Sequence, residues 1–93
     1  WADNTHNAMG LVEQQHSGFE VSSEGQYAFF RAVVETAQYA GAAGIFYWGG
    51  EWVAVDTQDE HGSAWENQAL FDFDGNPLPA LNVYREMAEG NKP

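Results

Sequence analysis

Tyr27, Phe30, Val34 and Ala37 recur at three- and four-residue spacing, and Phe29, Val33 and Ala40 widen the stripe they form. That spacing is the period of an α-helix with one apolar face, and it predicts a helix over residues 24–40. Ser23 followed by Gln26 fits a capping box, in which the hydroxyl accepts from the first turn and the amide reaches back. Gly41 stands where a left-handed C-terminal cap is expected. The stripe reads as a face turned to the core, not to a ligand. Next comes Gly44-Ile45-Phe46-Tyr47-Trp48, an apolar run without alternation. Strands covered on both faces look like this, and a helix leading through a few small residues into such a strand is the α/β unit.

The remaining pattern is less regular. Residues 1–22 show no period and read as a long loop. Residues 49–64 read as a second one, with Trp52-Val53-Ala54-Val55 as an apolar island. Residues 69–73 read as extended, and Asp74-Gly75-Asn76-Pro77 is a turn signal. Pro79 suits the first turn of a last helix carrying Leu81, Tyr84, Arg85 and Met87 and ending near Gly90. No repeat and no linker divides the chain, so residues 1–93 form a single segment. One confident strand does not make a sheet, and its partners are expected outside these 93 residues.

Composition narrows the partners. Fourteen acidic residues face three cations, Arg31, Arg85 and Lys92, for a formal net charge of −11. Such a chain repels phosphate backbones and anionic membrane surfaces, so neither nucleic acid nor membrane is an expected partner. A neutral partner such as a sugar meets no such barrier. Aromatic residues make up 15% of the chain, too many for a disordered tail. There is no cysteine, hence no disulfide and no thiolate metal site. No apolar run is long enough to span a bilayer, and a chain that begins at Trp1 reads as a piece of a longer one.

Trp48 is the foremost candidate for function. A tryptophan at the C-terminal end of a buried parallel strand points to the ligand face of an α/β sheet or barrel. Its flat face suits the C–H face of a pyranose, and its indole N–H can reach a hydroxyl. Trp52, Trp65 and Trp1 are further candidates, each able to line a groove or to pin its own loop. Glycoside hydrolysis needs two carboxyl groups. Glu51, just past the strand, and Glu66, inside an aromatic-rich motif, are the candidates the pattern offers, although loop carboxylates are more often solvated. His6 with Asp3 and Asn7, or His61 with Asp59 and Glu60, would suit calcium better than zinc. No nucleophile elbow or phosphate-binding glycine loop is present.

The run Trp65-Glu66-Asn67-Gln68-Ala69-Leu70-Phe71-Asp72-Phe73-Asp74-Gly75, following Gly44 to Trp48, resembles the C-terminal end of the arabinogalactan endo-β-1,4-galactanases, glycoside hydrolase family 53. Trp1-Ala2-Asp3-Asn4-Thr5-His6-Asn7 resembles the loop after that family's seventh strand, and Glu24-Gly25-Gln26 the opening of its seventh helix. The run 44–48 resembles its eighth strand, and Pro77-Leu78-Pro79-Ala80-Leu81 its closing signature. The likeness covers essentially the whole chain. It implies an α/β fold, with this chain as the last two strand–helix units of a (β/α)8 TIM barrel, the C-terminal quarter of a glycosidase.

The implied activity is that of a secreted bacterial endo-galactanase, extracellular, cell-surface or periplasmic, that degrades the galactan and arabinogalactan side chains of pectin with retention. Trp48, Trp52 and Trp65 would be its substrate-binding residues here. Both glutamates of the family's chemistry fall outside this sequence, so the isolated chain is expected to be inactive and to need the remainder of the barrel as partner. Glu35-Thr36-Ala37 imitates the nucleophile motif but lies in a helical pattern. Family members often carry an acidic residue where this chain has Gly49. No cofactor is implied beyond calcium, which some bacterial members hold between two loops; Asp3, His6 and Asn7 partly resemble the first set of ligands, and Ser63 is placed like a member of the second. Two other readings stay open at this point: a stand-alone carbohydrate-binding module using Trp48, Trp52 and Trp65 as stacking platforms, and a structural subunit without a ligand.

Overall fold

The computed structural model describes residues 1, 11–50, 65–72 and 74–89. Its longest element is a helix, α2, over Ser23–Tyr39, preceded by a five-residue helix α1, Leu11–Gln15. A 3₁₀ turn at Pro79–Leu81 leads into the last helix, α3, Asn82–Ala88. The expected helices are thus present, and α1 corrects the reading of residues 1–22 as loop throughout. With five residues it is too short to show a period.

α2 begins one residue earlier than its pattern suggests. Ser22, in extended conformation, is the N-cap, and its Oγ accepts from Gly25 N at 3.0 Å. The Ser23 hydroxyl instead donates to the Glu24 carboxylate at 3.2 Å. Gln26 caps nothing; it is buried and points into the tertiary structure. At the other end Gly41 takes φ +82°, its N–H donates to Gln38 O, and Ala42 N–H donates to Ala37 O. This is the Schellman arrangement, and glycine permits it because its positive φ meets no Cβ.

Phe30, Val34, Leu70, Ala80 and Val83 form the core. They come from α2, the 65–72 segment, the 3₁₀ turn and α3, and Ile45, Tyr47, Tyr84 and Met87 pack around them. The Phe30 ring meets Tyr47 at 5.0 Å and Tyr84 edge-on at 5.4 Å. Polar ties join the same helices: Tyr27 Oη donates to the Glu86 carboxylate at 2.7 Å and accepts from Arg31 Nη1 at 3.2 Å. The outer members of the predicted stripe, Phe29 and Val33, stay 36% and 40% exposed, outside the core.

Residues 44–48 depart most from expectation. Residues 44–47 take no regular structure and Trp48 opens a turn with Gly49 and Gly50, while burial alternates along the run. Ile45 and Tyr47 turn to the core, whereas Phe46 is fully exposed and Trp48 is 87% exposed. Both faces are apolar in sequence, yet only one is covered here. No strand forms anywhere among the described residues, because a strand exists only when a neighbour takes up its backbone N–H and C=O groups. Among the described residues the helical layer of the expected α/β unit is present and its sheet is not.

Residues 69–78 make a narrow hairpin turn. Phe71 pairs with Pro77, Asp72 N donates to Asn76 O at 2.9 Å, and Leu78 N donates to Leu70 O at 2.8 Å. Asp72 Oδ1 accepts from Asp74 N and Asn76 N, and Gly75 takes φ +81°. The turn signal was therefore correct, and an aspartate side chain closes it. Of the extended stretch expected here, Phe73 lies outside the described residues, as does the C-terminal limit at Gly90.

Candidate functional site

An aromatic groove of about 620 Å³ lies between α2 and residues 45–48. Phe29, Phe30 and Val33 of α2 form one side, Ile45 to Trp48 the other, and Trp1 and Trp65 close it. Gln26 and Gln68 are the only hydrogen-bonding amides among these residues. Among the described residues no charged side chain belongs to the lining, so this wall of the groove suits an uncharged occupant with apolar faces. Trp1 packs on Phe29 at 5.2 Å, and Phe29 meets Phe19 edge-on at 5.6 Å, which fixes that wall.

Trp48 is held at both flanks. Before it, Tyr47 packs on Phe30 and donates its hydroxyl to Gln68 O at 2.7 Å. Burial pushes the Tyr47 phenol above its ordinary value of 10.0; the Gln26 bond opposes that rise and Tyr84 adds to it. After it, Gly49 takes φ +86°, and Gly50 O accepts from Leu70 N at 3.0 Å. A side chain at Gly50 would strike Leu70 Cδ1 at 2.8 Å. The Gly49-Gly50 pair therefore lets the backbone reverse and dock while the indole between these ties stays free.

The structure brings Trp48, Trp65 and Trp1 together around one groove. Trp65 is 42% exposed and opens the 3₁₀ turn Glu66–Gln68, with Gln68 N donating to Trp65 O at 2.9 Å. Trp52 and Glu51 lie outside the described residues, and of Glu66 only the backbone is described. Glu35 sits exposed within α2, as its helical context predicts. Asp3, His6, Asn7 and Ser63, and the alternative set Asp59, Glu60 and His61, also lie outside the described residues. Among the described residues no three His, Cys, Asp or Glu side chains gather as metal ligands do.

Sequence reasoning missed the roles of Gln26 and Gln68. Gln26 fits a local capping pattern, which hides its long-range one. Its position on the Phe30–Val34 side of the helix is the signal that could have exposed it, since a polar residue in an apolar stripe asks for a buried partner.

The family model for Glycosyl hydrolase family 53 matches residues 1–84, and the chain belongs to that family. It is 32% identical to an endo-beta-1,4-galactanase of Bacillus subtilis (strain 168) over 109 aligned positions, covering 81% of this chain and 25% of the relative. The chain thus spans about a quarter of the length of that relative. The aligned stretch exceeds the 93 residues present here, so the relative carries insertions that this chain lacks. No solved structure matches.

Proposed function

We propose that this chain is the C-terminal portion of a retaining endo-β-1,4-galactanase and forms one wall of its substrate cleft. The observation that carries this reading is Trp48, an 87% exposed indole fixed by its backbone neighbours at an uncharged aromatic groove, in a chain of family 53. Its exposed ring would stack on the C–H face of a galactose unit. Trp65, together with Trp52, would extend the contact along the polymer. The two carboxyl groups of a double displacement would come from the rest of the protein, which would also make the covalent glycosyl intermediate.

The uncovered face supports the barrel assignment. Residues 44–47 take no regular structure, Trp48 opens a turn, and among the described residues no backbone hydrogen bond involves residues 44–48. Phe46 and Trp48 project from one side, and the Phe29 and Val33 stripe lies open beside them. An adjacent parallel strand would satisfy that edge and cover those side chains, which is how the rest of a (β/α)8 barrel would join. Phe46 would then enter the barrel interior and Trp48 its C-terminal rim. A polymeric pectin substrate places the enzyme outside the cell. Among the described residues no helix is long and apolar enough to cross a membrane.

The test uses the full-length protein with Trp48→Ala. Release of reducing ends from β-1,4-galactan should persist with a clearly raised KM, while the isolated 93-residue chain should release none. Unchanged kinetics in the variant would overturn Trp48 as a substrate contact. Hydrolysis by the 93-residue chain alone would overturn the assignment of the catalytic carboxyl groups elsewhere.

A further inference from the structure

Gln26 is 1% exposed, and its amide joins three parts of the chain. Nε2 donates to Tyr47 Oη at 3.2 Å and to Ala69 O at 3.1 Å, and lies 3.5 Å from Gln68 O. Tyr47 Oη in turn donates to Gln68 O at 2.7 Å. The orientation of the amide is fixed, because turning it over would set Oε1 against the Ala69 carbonyl oxygen. In that orientation Oε1 is buried and accepts no hydrogen bond among the described residues.

A buried acceptor left unpaired costs as much as the amide gains from one or two of the bonds it makes. For stability alone, an aliphatic residue in this apolar stripe would do comparable work. What the amide supplies is geometry. Tyr47 immediately precedes Trp48, and Gln68 and Ala69 end the turn that Trp65 opens. The two tryptophans sit on separate segments. Tyr47 joins the two directly through Gln68 O, and Gln26 bonds to both of them from α2.

We infer that Gln26 is a positioning residue that fixes Trp48 relative to Trp65 across the groove, and so determines how consecutive sugar units of an extended neutral polysaccharide lie on the two rings. The assignment rests on the groove being the sugar-binding wall proposed above. Gly50 completes the arrangement, since its bond to Leu70 N ties the far side of Trp48 to the same segment. Trp48 is thereby referenced to the 65–70 segment from both sides, and Gln26 carries that reference into α2.

The experiment compares Gln26→Leu, Tyr47→Phe and Trp48→Ala in the full-length enzyme, with KM, kcat and Tm measured on β-1,4-galactan well below each melting point. Tyr47→Phe keeps the ring packed on Phe30 and removes only the hydroxyl, so it reports even where Gln26→Leu folds poorly. Loss of one buried neutral hydrogen bond's worth of orientation should raise KM roughly five- to tenfold, with kcat held within about twofold. The Gln26→Leu/Tyr47→Phe pair should be less than additive, because both act through one tie. If Trp48→Ala raises KM while the other two lower only Tm, Gln26 is merely structural and the inference falls, with the sugar wall intact. If Trp48→Ala leaves KM unchanged, the sugar wall itself falls and the inference with it.

Discussion

Gly25→Ala sets two physical arguments against each other. Gly25 lies in the first turn of α2 with ordinary helical φ, where alanine normally stabilises a helix by about 1 kcal/mol over glycine. Here a Cβ would fall on the carbonyl oxygen of Glu20, well inside van der Waals contact, and that neighbour is backbone. Residues 20–22 would have to lift away. Their displacement removes the Ser22 cap on Gly25 N, worth about 1 kcal/mol. It also removes the Ser22 N bond to Glu20 O, worth about 1 kcal/mol more. Residual crowding adds about 1 kcal/mol at the low end of overpacking costs. After the propensity gain, a net loss of about 2 kcal/mol is expected. Urea unfolding of the full-length protein measures it, with Ser22→Gly as the control that removes the cap side chain alone. A Gly25→Ala protein as stable as the parent, or more so, would refute the close approach of Glu20.

Other perturbations read different parts of the structure. Phe30→Ala removes the ring at the centre of the core, between Tyr47 and Tyr84, and should cost about 3–5 kcal/mol in the same unfolding assay. Gly49→Ala forces a Cβ into φ +86° and should cost about 1–2 kcal/mol, with a raised KM on galactan because Trp48 is adjacent. The Tyr47 phenol stays protonated in the folded chain at a pH where it has ionised in the unfolded one. Its contribution is therefore complete below about pH 10 and is lost as pH rises through the higher folded value. Stability measured from pH 9 to 11.5 should fall less steeply for Tyr47→Phe than for the parent, and identical slopes would contradict the burial of that hydroxyl.

Local signals were legible where their causes were local. The period of Tyr27, Phe30 and Val34 gives α2, Gly41 gives its end, and Asp74-Gly75 gives the turn, because each depends on neighbours within a few residues. Residues 44–48 mislead for the opposite reason. Their apolar character reports a surface that would be covered on both sides, while the described residues cover one. Gln26 was read in the wrong frame altogether: an amide three residues after a serine is a local pattern, and its true partners are 21 and 43 residues away. Trp48 is expected at the end of a buried strand and instead opens a turn, and its exposure could not be read from spacing. The likeness to family 53 supplied the function class, which no single spacing could have done.

The open backbone of residues 44–48 has a consequence for assembly. Among the described residues no backbone partner takes up residues 44–48, and where the rest of the protein leaves such an edge uncovered, flanked by bare aromatics, another copy could add to it and begin a fibril. Each copy here carries a formal charge of −11, so two of them approach against strong mutual repulsion. A less acidic polypeptide meets a lower barrier at the same edge. The excess of aspartate and glutamate in this segment would thus oppose self-templating until the rest of the protein covers the edge.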